Sequence, residues 1–488
     1  MTTFGNKGLS TGRPSDSNIQ AGAVLATLAL LLFAVAELQA QNTAEHRAQG
    51  PAGLQNPATG RTEPPDIAAA NAIPWQLDSC ISYALGHNLD LRLQHIEIVD
   101  RKAQLLRSTL GLLPSVNAAA TTDFNWGRSV DVKELTISRD KLTRVTGLSL
   151  QGSWEIFGGF ARQYGRLAAR DAVREAESAR RRLSEELAID VTRNYLQLLL
   201  AGEMLNLARE NEETIARQCE RTRSLVDAGS QPKSALSEME AQVAAERARV
   251  AEADGDVRTC TLKLMQLMNL PPGGPPFTVG EAFGTEGEEV PPLPDYWPDV
   301  QIEAMAQRDP RIDGARSRVE MMKHQASAAV GATLPRLSVT AAYGTFFSST
   351  SEDKPGRQID DNRNPSLSLN LTIPIFNFGE TAIGIRRSRL AVEKARLSHE
   401  LMQIQVGDEI RSALIEAQNC YQRYNSAREM LDATTAALAV MEAKYNLGAS
   451  TALDYIVARN NHFKAVSDLL QAKWQYLFQL RLLDHYLR

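Results

Sequence analysis

Cysteine is scarce and unpatterned in this chain of 488 residues: Cys80, Cys219, Cys260 and Cys420 stand far apart, with no CxxC and no Cys/His spacing. That spacing excludes a patterned metal or redox centre and leaves buried free thiols as the expectation. Charge of one sign is never concentrated. Basic (53) and acidic (58) residues are interleaved, for a net charge of −5, and no basic block marks a nucleic-acid surface. Catalytic signatures are missing: there is no serine elbow, phosphate loop or HExxH. The histidines are scattered, and His87, at a predicted helix end, is expected to cap or face solvent rather than bind metal. Apart from one N-terminal run, nothing approaches the ~18 continuous apolar residues that a spanning helix needs.

That N-terminal run reads as a targeting signal. Lys7 and Arg13 precede apolar Ala21–Val35, and Leu38-Gln39-Ala40 follows with a small residue at a cleavage position. Residues 1–40 are therefore assigned to a secretory signal peptide, with no following cysteine to carry a lipid. Residues 41–72, rich in Gln, Pro, Gly, Ala and Thr, are read as a flexible N-terminal segment. An exported chain of this composition crosses a membrane, if at all, without transmembrane helices.

Proline is absent from two long stretches, Ser115–Gln231 and Ile375–Arg488. Each contains strand-like alternation followed by one very long helical pattern, and each reverses at a glycine, Gly229 or Gly448. A helix over Ala161–Ala228 would be roughly 100 Å long at about 1.5 Å per residue. Such a rod packs against other rods or spans a space.

Before the first stretch, Trp75–Leu113 reads as helical. Asp78 is placed to cap a short helix around Cys80–Leu85, and a longer helix runs from Leu91 to the break at Pro114. Two strands follow. Val116, Ala118, Ala120, Thr122, Phe124 and Trp126 alternate with polar partners, then Leu148, Leu150, Gly152, Trp154 and Ile156 do the same. A half-buried strand over a soluble core and a membrane β-barrel strand both give this alternation. Gly158 and Gly159 end the second strand. The Arg-rich turns from Arg162 to Arg182 are expected to be a solvated face, and a return helix covers Lys233–Met268. The Pro/Gly-rich stretch 271–300 reads as a connector.

The pattern then repeats: helix Ile302–Val330, Pro335, a strand from Leu337 to Tyr343, a polar loop Ser348–Asn364, and a strand from Leu367 to Ile375. Gly379 follows, then a second long helix whose apolar stripe (Ile410, Leu414, Ala417, Tyr421) has coiled-coil spacing. Pro114 falls on Pro335, Phe157 on Phe376 and Gly229 on Gly448, an offset of about 220 residues. The chain is thus divided into a first repeat, 73–270, the connector, and a second repeat, 301–488. The expected fold is mixed and mostly α, with an internal duplication. Four strands cannot close a barrel, and an open edge is intolerable in lipid. A membrane location therefore requires several chains to share one barrel; three would give a trimeric transmembrane β-barrel of about twelve strands, four strands per chain, within the known range, continued by a long α-helical coiled-coil barrel.

At this point the chain resembles the TolC-like outer-membrane efflux proteins. The resemblance covers Trp75 to about Leu483. It rests on Trp75-x-Leu77-x-x-Cys-Ile-x-x-Ala84-Leu85-x-x-Asn88 and the turns Leu-Pro114-Ser-Val and Leu-Pro335-Arg-Leu. The strand ends Trp154-Glu-Ile-Phe-Gly-Gly159 and Ile373-Pro-Ile-Phe-Asn-Phe-Gly379, and the tip Tyr445-Asn-Leu-Gly448-Ala-Ser-Thr-Ala-Leu-Asp454, complete it.

What the resemblance implies is a homotrimer, non-enzymatic, with its barrel in outer-membrane lipid and its helical tunnel in the periplasm. The tips would meet a periplasmic adaptor protein attached to an inner-membrane pump or secretion ATPase. It further implies that Asp454 narrows the tunnel entrance and that Tyr445 helps hold the closed state; the residues alone also fit a solvated helix-start carboxylate at Asp454 and a coiled-coil core residue at Tyr445. Gly229, Ser230, Leu447, Gly448 and Ala449 become the expected adaptor contacts, although turn chemistry alone would also account for them. The chain departs from the family at Ser450 (basic in familiar members), Val457 (acidic there) and Ala235, so one acidic ring at most is expected. Pro114, Gly158, Gly159, Pro335 and Gly379 mark helix–strand transitions. Trp126, Trp154, Phe346 and Phe347 are candidates for the aromatic girdle at lipid headgroups, with ordinary core packing as the alternative. No cofactor is expected. The functional expectation is a passive exit duct for efflux or type I secretion; the competing ones are an exported coiled-coil scaffold without conduction and a periplasmic binding or enzymatic protein.

Overall fold

The computed structural model of the chain describes residues 75–127, 129–130, 137–138, 142–270, 279–280, 291–292, 298–349, 351, 353–447 and 449–487, which lie in one compact unit, Pro74–Arg488. The expected signal and flexible segments, most of the connector, and Gly448 lie outside the described residues.

Two short helices open the unit, α1 (Leu77–His87) and α2 (Leu89–Leu110). Asp78 sits in the first turn of α1 and does not cap it: the N-cap is Gln76, with no side-chain bond. The effective cap is Asn88, whose side-chain amide oxygen accepts from the backbone N–H groups of Asp90 and Leu91. Strand β1 (Ser115–Asn125), the two-residue strands β2 (Ser129–Val130) and β3 (Ile137–Ser138), and β4 (Thr143–Gly158) follow. The long helix α3 covers Ala161–Asp227 and α4 returns over Lys233–Leu267.

Outside the strand loops, the second repeat matches the first in element order. The helix expected over Ile302–Val330 is two helices, α5 (Asp299–Ala306) and α6 (Pro310–Gly331). Asp309 caps α6 by accepting from Arg311 N–H, and Pro310 takes the first helical position, where its missing N–H costs nothing. Strand β5 (Arg336–Ser348) leads to a loop that contains a short helix, α7 (Pro355–Asp361), where only a polar loop was expected. Then come β6 (Asn364–Thr372), α8 (Glu380–Asn446) and α9 (Ala452–Leu487). Helices α3 and α8 each have 67 residues, about 100 Å of rod. Asn88 and Asp309 occupy the same place in the two halves.

The sheet is antiparallel throughout, in the order β1-β4-β5-β6, so β1 and β6 are its free edges. Register places Val116, Leu150 and Ala341 on one face, continuing through Leu369 and Trp154. That face is apolar, and the opposite face carries Ser338, Thr340, Ser368 and Asn370. Strand β6 is exposed along its whole length. Among the described residues, no helix is long and apolar enough to cross a membrane.

The helices carry the core. Near the middle of the rods, Leu77 and Cys80 pack with Val191, Tyr195, Leu264 and Trp474, while Ile302, Ile312, Ile410 and Leu483 form a second cluster. The Tyr195 hydroxyl reaches the carbonyls of Trp75 (3.0 Å) and Gly280 (2.6 Å), which ties the connector to the rods. All four cysteines are free thiols, three of them buried, as expected. Burial pushes the Cys80 thiol up to about 12.

Candidate functional site

The tips of the two hairpins are built alike. At the first, Gly229 N–H donates to Val226 O (2.9 Å) and Ser230 N–H to Leu225 O (2.8 Å), with Gly229 at φ +73°. This is a Schellman cap, in which a left-handed residue lets the chain turn back onto the last free carbonyls. No side chain crowds Gly229, so conformation alone demands glycine there. At the second tip, Ala449 N–H donates to Lys444 O (2.9 Å), the counterpart of the Ser230–Leu225 bond. Gly229, Ser230, Leu447 and Ala449 are all exposed, Leu447 to 84%.

Asp454 stands in the first turn of α9. Its carboxylate accepts from Thr451 N–H (3.2 Å) and the Thr451 hydroxyl (2.6 Å), while Asp454 N–H donates to Thr451 Oγ1 (3.2 Å). This reciprocal pair is a capping box. The Thr451 bonds, hydroxyl first, hold the carboxyl below its ordinary range. Asp454 is fully exposed, and Ser450, at the position where the family carries a basic residue, adds a hydroxyl at 3.4 Å.

Tyr445 is buried and joins the two hairpins. Its ring stacks on Tyr455 at 5.2 Å and packs with Ala235 of α4. Its hydroxyl lies 3.1 Å from Thr222 Oγ1 of α3. Thr222 spends its own proton on Gln218 O (2.9 Å), so Tyr445 is the donor. Ala235, noted in the sequence only for lacking a carboxylate, is the small residue that makes room for this contact.

Above the tips lies a network that the sequence analysis missed. Glu246 of α4 is fully buried and accepts from Asn211 Nδ2 (2.9 Å), Arg249 (2.8 Å) and Gln242. Arg459 of α9 donates to Asn211 Oδ1 (3.1 Å). The network links α3, α4 and α9. The signal was present: Glu246 falls seven residues after Met239, on the buried side of its helix, where a carboxylate needs partners.

At the other end, the junctions between strand and helix are tight. Gly159 has φ +63° and Gly379 φ +81°, and Phe160 and Phe378 share the left-handed region. Gly159 and Gly331 touch backbone to backbone: a Cβ on Gly159 would sit 2.1 Å from Gly331 O. Gly158 ends β4, and Pro114 and Pro335 directly precede β1 and β5. Part of the expected solvated arginine face is structural. Arg162 donates to Gly111 O (2.7 Å) and pairs with Glu155 (3.1 Å), and Arg174 pairs with the buried Asp171 (3.2 Å).

The rim aromatics divide by register. Trp154 is 45% exposed on the apolar face, and its indole donates to Leu112 O (3.1 Å). Trp126, 78% exposed, and Phe347 lie toward the loop end. Phe346 falls on the polar face with Ser338 and Thr340, since neighbours along a strand point oppositely.

The whole arrangement has known counterparts. The family model described as outer membrane efflux protein matches residues 80–270 and 302–487, which are the two structural repeats. The probable outer membrane lipoprotein SilC of Salmonella typhimurium is 23% identical over 395 residues, covering 81% of this chain and 82% of its own. The alkaline protease secretion protein AprF of Pseudomonas aeruginosa is 24% identical over 370 residues, covering 72% and 73%. The solved structure of CusC, a transmembrane channel, superposes with TM-score 0.74 at 19% identity over 85% of this chain and 92% of that one. With both repeats matched and the duplicated strand–rod–tip plan in place, this chain belongs to the outer membrane efflux protein family, a non-enzymatic family of TolC-like channels of the bacterial outer membrane.

Proposed function

We propose that three copies of this chain form one passive duct, and that its hairpin tips dock a periplasmic adaptor joined to an inner-membrane pump or secretion ATPase. The open sheet carries this proposal. Strand β6 is bare on both faces, with Leu369 67% and Leu371 61% exposed, and β1 and β6 are unpaired edges. Lipid covers an apolar face but leaves edge N–H and C=O groups unsatisfied. Pairing β6 of one copy with β1 of the next removes every edge, and three copies give about twelve strands, within the range of known barrels. The helical layer offers matching edges: Leu93, Ile96 and Val99 of α2, and Leu390, Leu397 and Leu401 of α8, are all exposed.

In such a trimer the three Asp454 carboxylates approach one axis at the tunnel mouth and favour cations. The Tyr445–Thr222 bond holds the second hairpin against the first and favours a narrowed tip. Exposed Leu447 and Ala449 are the surface offered to the adaptor.

The test is single-channel recording from the purified mature protein in a planar bilayer, after its mass in detergent is measured by native mass spectrometry. Three chain masses, discrete conductance steps and a cation preference that falls in Asp454→Ala are expected. A single-chain mass, or a trimer without steps, counts against the duct and for a scaffold. Steps indifferent to Asp454→Ala keep the duct and remove Asp454 as its filter.

A further inference from the structure

We infer that the duct carries a basic track along its upper wall that concentrates anions there; this rests on the duct proposed above. Three adjoining hollows lie along α6 and α8 from the sheet rim to Met402. Arg336, Thr372 and Arg387 line the upper one, Met322 and Arg387 the middle one, and Arg318, Lys394 and Met402 the lower one. On α8 the lining positions Arg387, Ala391, Lys394, Ser398 and Met402 recur every three or four residues, which is one face of a helix.

The upper hollow continues the polar face of the sheet. Arg336 pairs with Thr372 in the register that also pairs Ser338 with Asn370 and Thr340 with Ser368. The opposite face presents Leu369 and Leu371, and in a membrane barrel that face takes the lipid while the polar one takes the water. The upper hollow therefore opens to the interior.

The lining charge is unbalanced. Arg336, Arg387 and Lys394 are exposed, and no ion-pair partner reaches them among the described residues. Arg318 pairs with Glu175 at 3.6 Å, so neither adds to the imbalance. Glu380 is the one lining carboxylate without an ion pair among the described residues. Arg387 and Lys394, seven residues apart, make two levels about 10 Å apart along the rod. Threefold repetition turns each into a ring of cations. Fixed charge of one sign between low-dielectric walls concentrates ions of the other sign. The tip filter at Asp454 lies at the far end of the same rods, so the track acts on whatever has already entered. Small organic anions and inorganic polyanions share the chemistry it selects.

The experiment is reversal potential in a potassium chloride gradient, with inorganic tripolyphosphate added on the side of the strand loops as a blocking probe. Wild type is compared with Arg387→Gln/Lys394→Gln and with the charge-keeping swap Arg387→Lys/Lys394→Arg. Both side chains are exposed in the single chain and have no ion-pair partner among the described residues, and the tip contributes equally to all three proteins. The glutamine variant is expected to lose at least ~2-fold in chloride-to-potassium permeability and about tenfold in tripolyphosphate block. The swap is expected to keep both near wild type. Unchanged permeability and block in the glutamine variant overturn the track while the steps still uphold the duct. If the swap behaves like the glutamine variant, side-chain shape is responsible and the track is overturned. No steps in wild type overturn the duct and the track together.

Discussion

Gly159 and Gly331 are in contact through their backbones, and no other residue fits either place. A Cβ on Gly331 would lie 2.2 Å from Gly159 O, and a backbone atom cannot swing aside as a side chain can. Gly331→Ala is therefore expected to lower stability by about 1–3 kcal/mol, the usual cost of overpacking. Gly165→Ala is the control: nothing lies within 4 Å of its added methyl, and helix propensity favours alanine by up to ~1 kcal/mol. Thermal denaturation of the two purified variants should move in opposite directions; equal melting would remove the glycine contact from the account. Asp454 gives a pH prediction. Its folded-state carboxyl is held below the ordinary value by Thr451, so the stabilising effect is present above the unfolded pKa of about 4. It is lost as pH falls through the lower folded value. Hydrogen exchange at the start of α9 should accelerate on acidification in that window, and Asp454→Asn should abolish the dependence.

Between elements, the joints of the two hairpins are polar as well as apolar. Glu246 is fully buried with partners on α3 and α4, and Arg459 of α9 completes the network through Asn211. Glu246→Ala leaves Arg249, 41% exposed, to the solvent but takes the acceptor from Asn211 and Gln242; leaving a buried polar group unsatisfied costs about 1–3 kcal/mol, and a thermal melt should show a loss of that order. The double variant Glu246→Ala/Arg249→Ala should cost less than the sum of the singles; strict additivity would show that the pair does not interact. Tyr445→Phe removes one hydrogen bond, about 1 kcal/mol, and leaves Thr222 satisfied by Gln218. It should raise channel open probability at the tip with little change in melting. A large drop in melting with unaltered gating would make Tyr445 a packing residue only.

At the scale of the whole molecule, lipid and water take opposite faces of one sheet. Leu369 and Ser368 are neighbours on β6, both exposed in the single chain, and differ only in the face they occupy. Leu369→Arg near the bilayer centre should cost about 2–4 kcal/mol and impair insertion, whereas Ser368→Arg on the water side should be tolerated. Folding into lipid vesicles, followed by protease protection, reads the difference. Equal tolerance would place the sheet outside a membrane.

Much of this was legible in the chain itself. Proline-free stretches, apolar spacing of threes and fours, and glycines at 229 and 448 determined the rods and their reversals, because helix geometry and left-handed caps are local properties. Period-two alternation determined the strands, and the offset of about 220 residues determined the duplication. Local chemistry also held signals that were passed over: Asp309-Pro310 is a helix start, and Asn88 a better cap than Asp78. Only the tertiary structure decided which distant residues meet. Gly331 faces Gly159 across 172 positions, Tyr445 finds Thr222, and Glu246 accepts from Asn211 of a neighbouring helix. No period in the sequence encodes such pairings, because they depend on how two rods are wound and in what register they lie side by side.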